Sequence, residues 1–178
     1  MAQEKFSYQK EINLKLFSVI LILITFNISS EEVLKSFNTM LQSDLSFKQE
    51  IEININDKSY SEGFIERKGD SIEINIKEPF REKYLINDEE LVVYDFEFDQ
   101  TQIMTITKNE APLINLLKSG VILEQTQELT DKSFMIAINN ELLYIELISD
   151  KSFYVSYKDN MNYKNIVTFT TINLWIFF

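Results

Sequence analysis

The sequence predicts a mainly β protein, one antiparallel sheet with a few helices. Three observations predict it. From Leu45 onward, apolar and polar residues alternate with a period of two, the pattern of strands with one buried face. Short turn signals such as Lys68-Gly69-Asp70 and Asn87-Asp88 separate the alternating runs, as antiparallel hairpins require. Only two segments carry a helical period, one ahead of the first strand and one in mid-chain.

Residues 1–30 read as an export signal. Lys10 and Lys15 precede an apolar run from Leu16 to Phe26, which is shorter than the roughly 20 residues that span a bilayer and suits a signal-peptide core. Asn27 to Ser30 lack a small-x-small cleavage pattern, so an uncleaved anchor stays open, as does a buried core helix. Residues 31–178 are then one domain.

Ser29 and Glu32 form an S-x-x-E capping box, and Val33, Leu34, Phe37, Met40 and Leu41 fall on one helical face behind it. Next, Leu45, Phe47, Ile51, Ile53 and Ile55 share one strand face, with Glu50, Glu52 and Asn54 on the other. Asn56 to Ser59 is expected to turn, and Gly63-Phe64-Ile65 to open a second strand. Ile72, Ile74 and Ile76 then alternate against Glu73, Asn75 and Lys77. Further strands are expected at 83–86, 91–95, 101–107, 134–139, 142–149, 153–158 and 166–172, with a tight turn at Asn139-Asn140. Between them, Pro112 fits a first helical turn and Gly120 a C-terminal cap, with Leu113, Leu116 and Leu117 on one side.

An apolar sheet face has to be covered. Two short helices cannot cover nine or so strands. The sheet therefore either folds on itself as a filled sandwich or small barrel, or curls around a cavity. Fourteen Phe and eight Tyr serve either arrangement, and periodicity does not choose between them.

Composition excludes much chemistry. With no Cys and no His there are no disulfides, no Cys or His zinc sites, no thiol nucleophile and no His-based acid–base scheme. Three Gly cannot build a phosphate-cradling loop. A formal net charge of -11 opposes phosphate backbones and anionic lipid surfaces, so no nucleic-acid partner is expected. Asp95, Glu97 and Asp99 have the spacing of calcium ligands. However, Gln100 and Ile106 stand where a helix-loop-helix calcium loop needs Gly and Glu. Nothing singles out a carboxylate pair for glycoside hydrolysis. No metal, cofactor, catalytic residue or enzymatic activity is expected.

The stretch "KEPFREKYLINDEELVVYDFEFDQ", Lys77 to Gln100, adds a resemblance. Its Pro79, Asn87-Asp88, Tyr94-Asp95 and Gln100 resemble the signature of the periplasmic outer-membrane lipoprotein carrier family (LolA type), in which a Pro, a strand, an Asp-Gly turn, a strand ending Tyr-Asp and a Gln follow in order. Phe47-Lys48-Gln49 resembles the family's F-x-Q first strand, Gly63-Phe64-Ile65 its glycine-led second strand, and "APLINLL" its Pro-led helical segment. The likeness runs from about Glu31 to Leu117. It departs at Asn87-Asp88, which replaces Asp-Gly, and at "INLWIFF", where the family continues through a further strand and a Pro-containing tail.

The resemblance implies an incomplete antiparallel β-barrel, a half-barrel, with an N-terminal helix and a helical lid over an apolar cavity. It also implies a monomeric periplasmic carrier. Such a protein would take acylated lipoproteins from an inner-membrane ABC-type release complex and deliver them to an outer-membrane receptor. Phe47, Ile51, Ile53, Phe64, Ile72, Ile74, Ile76, Leu113 and Leu117 would then line the lipid cavity. The family's lid-tethering arginine aligns with Lys68, with Arg67 in its place if the register slips by one. The alternative is a sensor or interaction module of the same fold that binds lipoproteins or envelope proteins without ferrying them.

Overall fold

The computed structural model describes residues 31–54, 56–106, 112–127, 130–138, 141–159 and 161–172. The expected export signal, the Ser29 cap, Ile55 and the Asn139-Asn140 turn lie outside these residues. Helix α1 covers 31–41. The strands are β1 (Leu45–Asn54), β2 (Asp57–Lys68), β3 (Ser71–Glu78), β4 (Glu82–Asn87), β5 (Glu90–Asp95), β6 (Gln100–Thr105), β7 (Thr126–Gln127), β8 (Ser133–Ile138), β9 (Glu141–Ser149), β10 (Ser152–Lys158) and β11 (Lys164–Thr171). Helix α2 (Pro112–Ser119) and a short 3-10 turn (Leu123–Gln125) lie between β6 and β7.

The strands form one antiparallel sheet in the order β6-β5-β4-β3-β2-β1-β11-β10-β9-β8-β7. Neighbours in sequence pair as hairpins, except β6 and β7, which lie at opposite edges. The long-range join is β1 to β11, with Phe47 opposite Phe169. The sheet is open, with β6 and β7 as its edges, so it is neither a stacked sandwich nor a closed barrel. Yet one buried cluster takes side chains from both helices and from β1 to β4 and β8 to β11. Laid flat, those eight strands would span roughly 34 Å at the usual inter-strand spacing. The eleven described residues of α1 extend only about 16 Å. One cluster shared by eight strands and two such helices calls for a sheet that curves around them.

Helix α1 buries the five residues expected on one face, Val33, Leu34, Phe37, Met40 and Leu41. Phe37 meets the rings of Phe134 and Phe153 edge-on, at 5.2 and 4.9 Å between centroids, and Phe153 stacks on Phe169 at 4.9 Å. These offset and edge geometries are the ones aromatic quadrupoles favour.

Two expectations need correction. The chain does not turn over Asn56 to Ser59, because β2 already begins at Asp57 and pairs with Asn54. Lys58 draws the hairpin out, pairing with Glu50 and, at 3.2 Å, with Glu52. Strand β7 was not expected, since two residues carry no period to read. At Asn87-Asp88 the turn persists without Gly: Asp88 itself takes the left-handed φ of 41°, which Asp tolerates better than most residues.

The β2–β3 pairing has a bulge at Glu62/Gly63. A Cβ on Gly63 would lie 2.0 Å from the Asn75 carbonyl oxygen and 2.9 Å from the Phe47 ring. Glycine is required there because the backbone and that ring occupy the space of a side chain.

On the face away from the helices, Glu73 is buried among Lys68 at 2.9 Å, Lys83 at 3.0 Å and the Asn75 amide at 3.1 Å. The Lys68 hydrogen bond, helped by Asn75 and Lys83, lowers the Glu73 carboxyl pKa from 4.5 to about 2. The folded value lies below the unfolded one, so the contribution is complete above about pH 4.5 and is lost as pH falls through about 2. Glu73→Gln is expected to flatten this acid dependence, by about 1 kcal/mol after solvent screening of the exposed lysine. Denaturant midpoints at about pH 6 and about pH 2.5 check it, and a Gln variant with the parent's pH profile overturns it.

Candidate functional site

Strand alternation sets which side chains meet the helices. On β1 these are Leu45, Phe47, Gln49 and Ile51. Pairing then carries the face to Gly63, Ile65 and Arg67 on β2, to Ile72, Ile74 and Ile76 on β3, and to Tyr84 and Ile86 on β4. In the other direction it reaches Val167 and Phe169 on β11. Helix α2 lies over this face with Leu116 and Leu117 buried. Between helix and sheet is a cleft of about 230 Å³. Its floor is Phe47, Ile65, Ile74, Ile76, Val167 and Phe169, and its roof is Leu113, Ile114 and Leu117. Gln49 and Tyr84 are its two polar lining residues.

Helix α2 is held at its C-terminal end by several contacts. Gly120 follows it at φ +65°, and its N–H donates to the Leu116 carbonyl at 3.0 Å, the left-handed helix stop. Asn38 of α1 satisfies the next residue on both sides, accepting from the Val121 N–H at 2.9 Å and donating to its carbonyl at 2.8 Å. Arg67 reaches from β2 to both helix ends. Its Nε donates to the Leu41 carbonyl and its Nη2 to the Leu117 carbonyl, each at 2.6 Å. Carbonyls in a helix's last turn lack intrahelical partners and carry partial negative charge, so one planar cation answers two such needs. Burial lowers the guanidinium pKa, opposed by the Asp44 carboxylate, which also accepts the Arg67 backbone N–H at 2.9 Å.

The polar end of the cleft is an ordered chain of amides. Asp159 in the β10–β11 turn accepts the backbone N–H groups of Met161 and Tyr163 through Oδ1. Its Oδ2 accepts from Asn165 Nδ2 at 3.2 Å, and that same nitrogen donates to the Tyr163 carbonyl. Asn165, 3% exposed, therefore turns Oδ1 toward Gln49, which donates to it from Nε2 at 3.0 Å. Ser61 completes the row by donating to Gln49 Oε1 at 3.1 Å. Nearby, burial and the charges of Asp159 and Glu141 push the Tyr157 hydroxyl up to about 12. Tyr84 donates to Glu82.

The expected site residues divide. The structure brings Phe47, Ile74, Ile76, Leu113 and Leu117 together around the cleft, with Ile72 buried beside them. Ile51 is half-buried on the same face, opposite Asn165. Ile53 is 37% exposed, because β11 pairs with β1 only as far as Glu52 and the hairpin arm projects past it. Phe64 faces the other side of the sheet. Ile65 takes the inner position, and Lys77 Nζ sits 5.1 Å from the Phe64 ring. Lys68 also faces outward, pairing with Glu73 and Glu66, so it does not touch either helix end as Arg67 does. Asp95 closes its own turn by accepting the N–H groups of Glu97 and Phe98. Phe80, Phe96 and Phe98 are exposed at hairpin tips, with the Arg81 guanidinium carbon 5.8 Å from the centre of the Phe96 ring.

Gln49, Ile65, Tyr84, Ile114, Val167 and Phe169 were missed. Gln49 left a readable signal: it is the one polar residue interrupting the apolar stripe from Leu45 to Ile53.

Among the described residues, no helix is long and apolar enough to cross a membrane, and no three acidic residues are grouped to hold a metal. No family model matches the chain. The chain is similar to the outer-membrane lipoprotein carrier protein of Helicobacter pylori (strain J99), with 34% identity over 94 residues. That is 53% of this chain and 46% of the relative, so the match spans about half of each. The resemblance read in the sequence motifs is thus carried by a curated relative. Among solved structures, a LolA superfamily protein from Nitrosomonas europaea aligns over 82% of this chain and 94% of its own, at 9% identity and a TM-score of 0.47. An outer membrane lipoprotein-sorting protein domain from Vibrio parahaemolyticus aligns over 81% and 92%, at 7% identity and a TM-score of 0.39.

Proposed function

We propose that this chain is a carrier for acylated proteins, with acyl chains taken up between α2 and the inner face of the sheet. The observation that carries this reading is the apolar cleft of about 230 Å³ under α2. A dry apolar cavity of about 150 Å³ already admits a benzene-sized guest. Each methylene moved from water into such a site contributes about 0.8 kcal/mol.

Two or three acyl chains in a permanently open cavity would bind too tightly to be handed on. A carrier instead lets the lipid displace a protein element. Helix α2 is suited to that part, because it covers the floor with Leu113, Ile114 and Leu117 and is fastened at its C-terminal end by Arg67 and Asn38. In this reading α2 is a lid and Arg67 its tether. The carrier is exported to the periplasm and works as a monomer. It loads at an inner-membrane ABC-type release complex and unloads at an outer-membrane receptor. Its likeness to the Helicobacter pylori carrier protein supports the cargo class.

The test is native mass spectrometry of the full-length protein isolated from the periplasm. A bound protein bearing acyl chains is the expected result. A lipid-free protein holding a non-acylated partner overturns the carrier reading in favour of a binding module.

A further inference from the structure

We propose that the Gln49 end of the cleft is a subsite for the polar linkage of an acyl ligand, the ester or amide carbonyl where the chain joins its carrier molecule. This rests on the reading of the cleft as an acyl site. It adds that the site recognises an acyl group and is not merely a pocket for hydrocarbon.

The direction of every bond in the row is fixed from one end. The Asp159 carboxylate and the Tyr163 carbonyl can only accept, so the Asn165 amide must turn its nitrogen toward them and its oxygen toward Gln49. Gln49 must then present its nitrogen to Asn165 and its oxygen to the Ser61 hydroxyl. A primary amide has two N–H groups and two acceptor lone pairs. The bonds to Asn165 and Ser61 use one of each. The remaining N–H belongs to a residue that lines a cleft whose other lining residues are apolar except Tyr84, and the Tyr84 hydroxyl is given to Glu82.

A donor held in that setting suits one ligand chemistry. A hydrocarbon offers it nothing. An acyl carbonyl entering the cleft loses its water and is left unpaired unless a donor meets it. Methylenes on the floor of Phe47, Ile74 and Phe169 would leave the carbonyl at the Gln49 end, where the chain passes from apolar to polar lining. Asp159 is a positioning residue here: it touches no ligand and sets the orientation of the Gln49 amide through Asn165.

The experiment uses the whole protein and two probes, methyl palmitate labelled with ¹³C at its carbonyl and 1-chlorohexadecane. Gln49→Met keeps side-chain length and removes the amide. The variant is expected to lower the preference for methyl palmitate over chlorohexadecane about tenfold, the equivalent of one hydrogen bond. In the parent protein the labelled carbonyl stretch should sit at lower wavenumber than in alkane solvent, and Gln49→Met should return it.

A parent band at the alkane position overturns the inference without reference to any variant. Equal loss of both probes in Gln49→Met also overturns it, since that reports a damaged cleft. If the parent binds neither probe, the acyl reading of the cleft falls and this inference with it. If it binds both without carbonyl selectivity, only this inference falls.

Discussion

Arg67→Ala is expected to destabilise the protein by about 3 kcal/mol, because it strands two carbonyls that share one charged donor. The Leu41 and Leu117 carbonyls lie at the ends of two helices, and the guanidinium meets both at 2.6 Å. Arg67 sits on the inner face of β2 between sheet and helices, and its backbone is fixed by Asp44. Arg67→Lys is expected to recover less than half of the loss. An ammonium on a flexible stem is a point donor and cannot hold the fork that spans both carbonyls. Urea denaturation measures the stability, and amide exchange at Leu116 and Leu117 measures the local effect. Exchange accelerated at α2 beyond the global change is the expected signature. A variant of parental stability and parental α2 protection would show that the two bonds contribute nothing. Lys68→Ala serves as the comparison, since Lys68 lies on the opposite face against Glu73.

The second large effect is on ligand uptake. Ile74 lines the middle of the cleft floor and is only half-buried, so Ile74→Glu leaves a carboxylate able to reach solvent in the empty protein. An acyl chain over that position would have to dehydrate the charge. Uptake of a palmitoyl probe is expected to fall about a hundredfold, while the circular dichroism spectrum and melting cooperativity remain. Ile74→Val, which keeps the surface apolar, is expected to bind within about threefold of the parent. Undiminished uptake by the folded Glu variant would remove the cleft from the proposal.

Much of this arrangement was legible in the sequence because a strand's period is two and a helix's is 3.6. The five buried residues of α1, the inward Ile72, Ile74 and Ile76, and the capped α2 all follow from spacing. What spacing could not supply was the choice of face in a run with two adjacent apolar residues. At Phe64-Ile65 the expectation placed Phe64 in the interior. Gly63 decided against it: its bare backbone makes room for the Phe47 ring, and Ile65 and Arg67 share that same face. The same one-residue step separates Lys68 from Arg67, since in a strand a shift of one turns a side chain to the opposite surface. Whether the sheet closed, stacked or stayed open was also beyond periodicity. That depends on the β1–β11 join between distant parts of the chain, where Phe47 meets Phe169, and no local pattern announces it.

The clamp on α2 has a mechanical consequence. Arg67 and Asn38 both grip the chain at Leu117 and Val121, and Lys118 adds a bond to the Asp88 carbonyl. Three parts of the molecule, β2, α1 and the β4–β5 turn, therefore converge on the C-terminal end of the helix, so any motion that lifts that end has to break bonds to all three together.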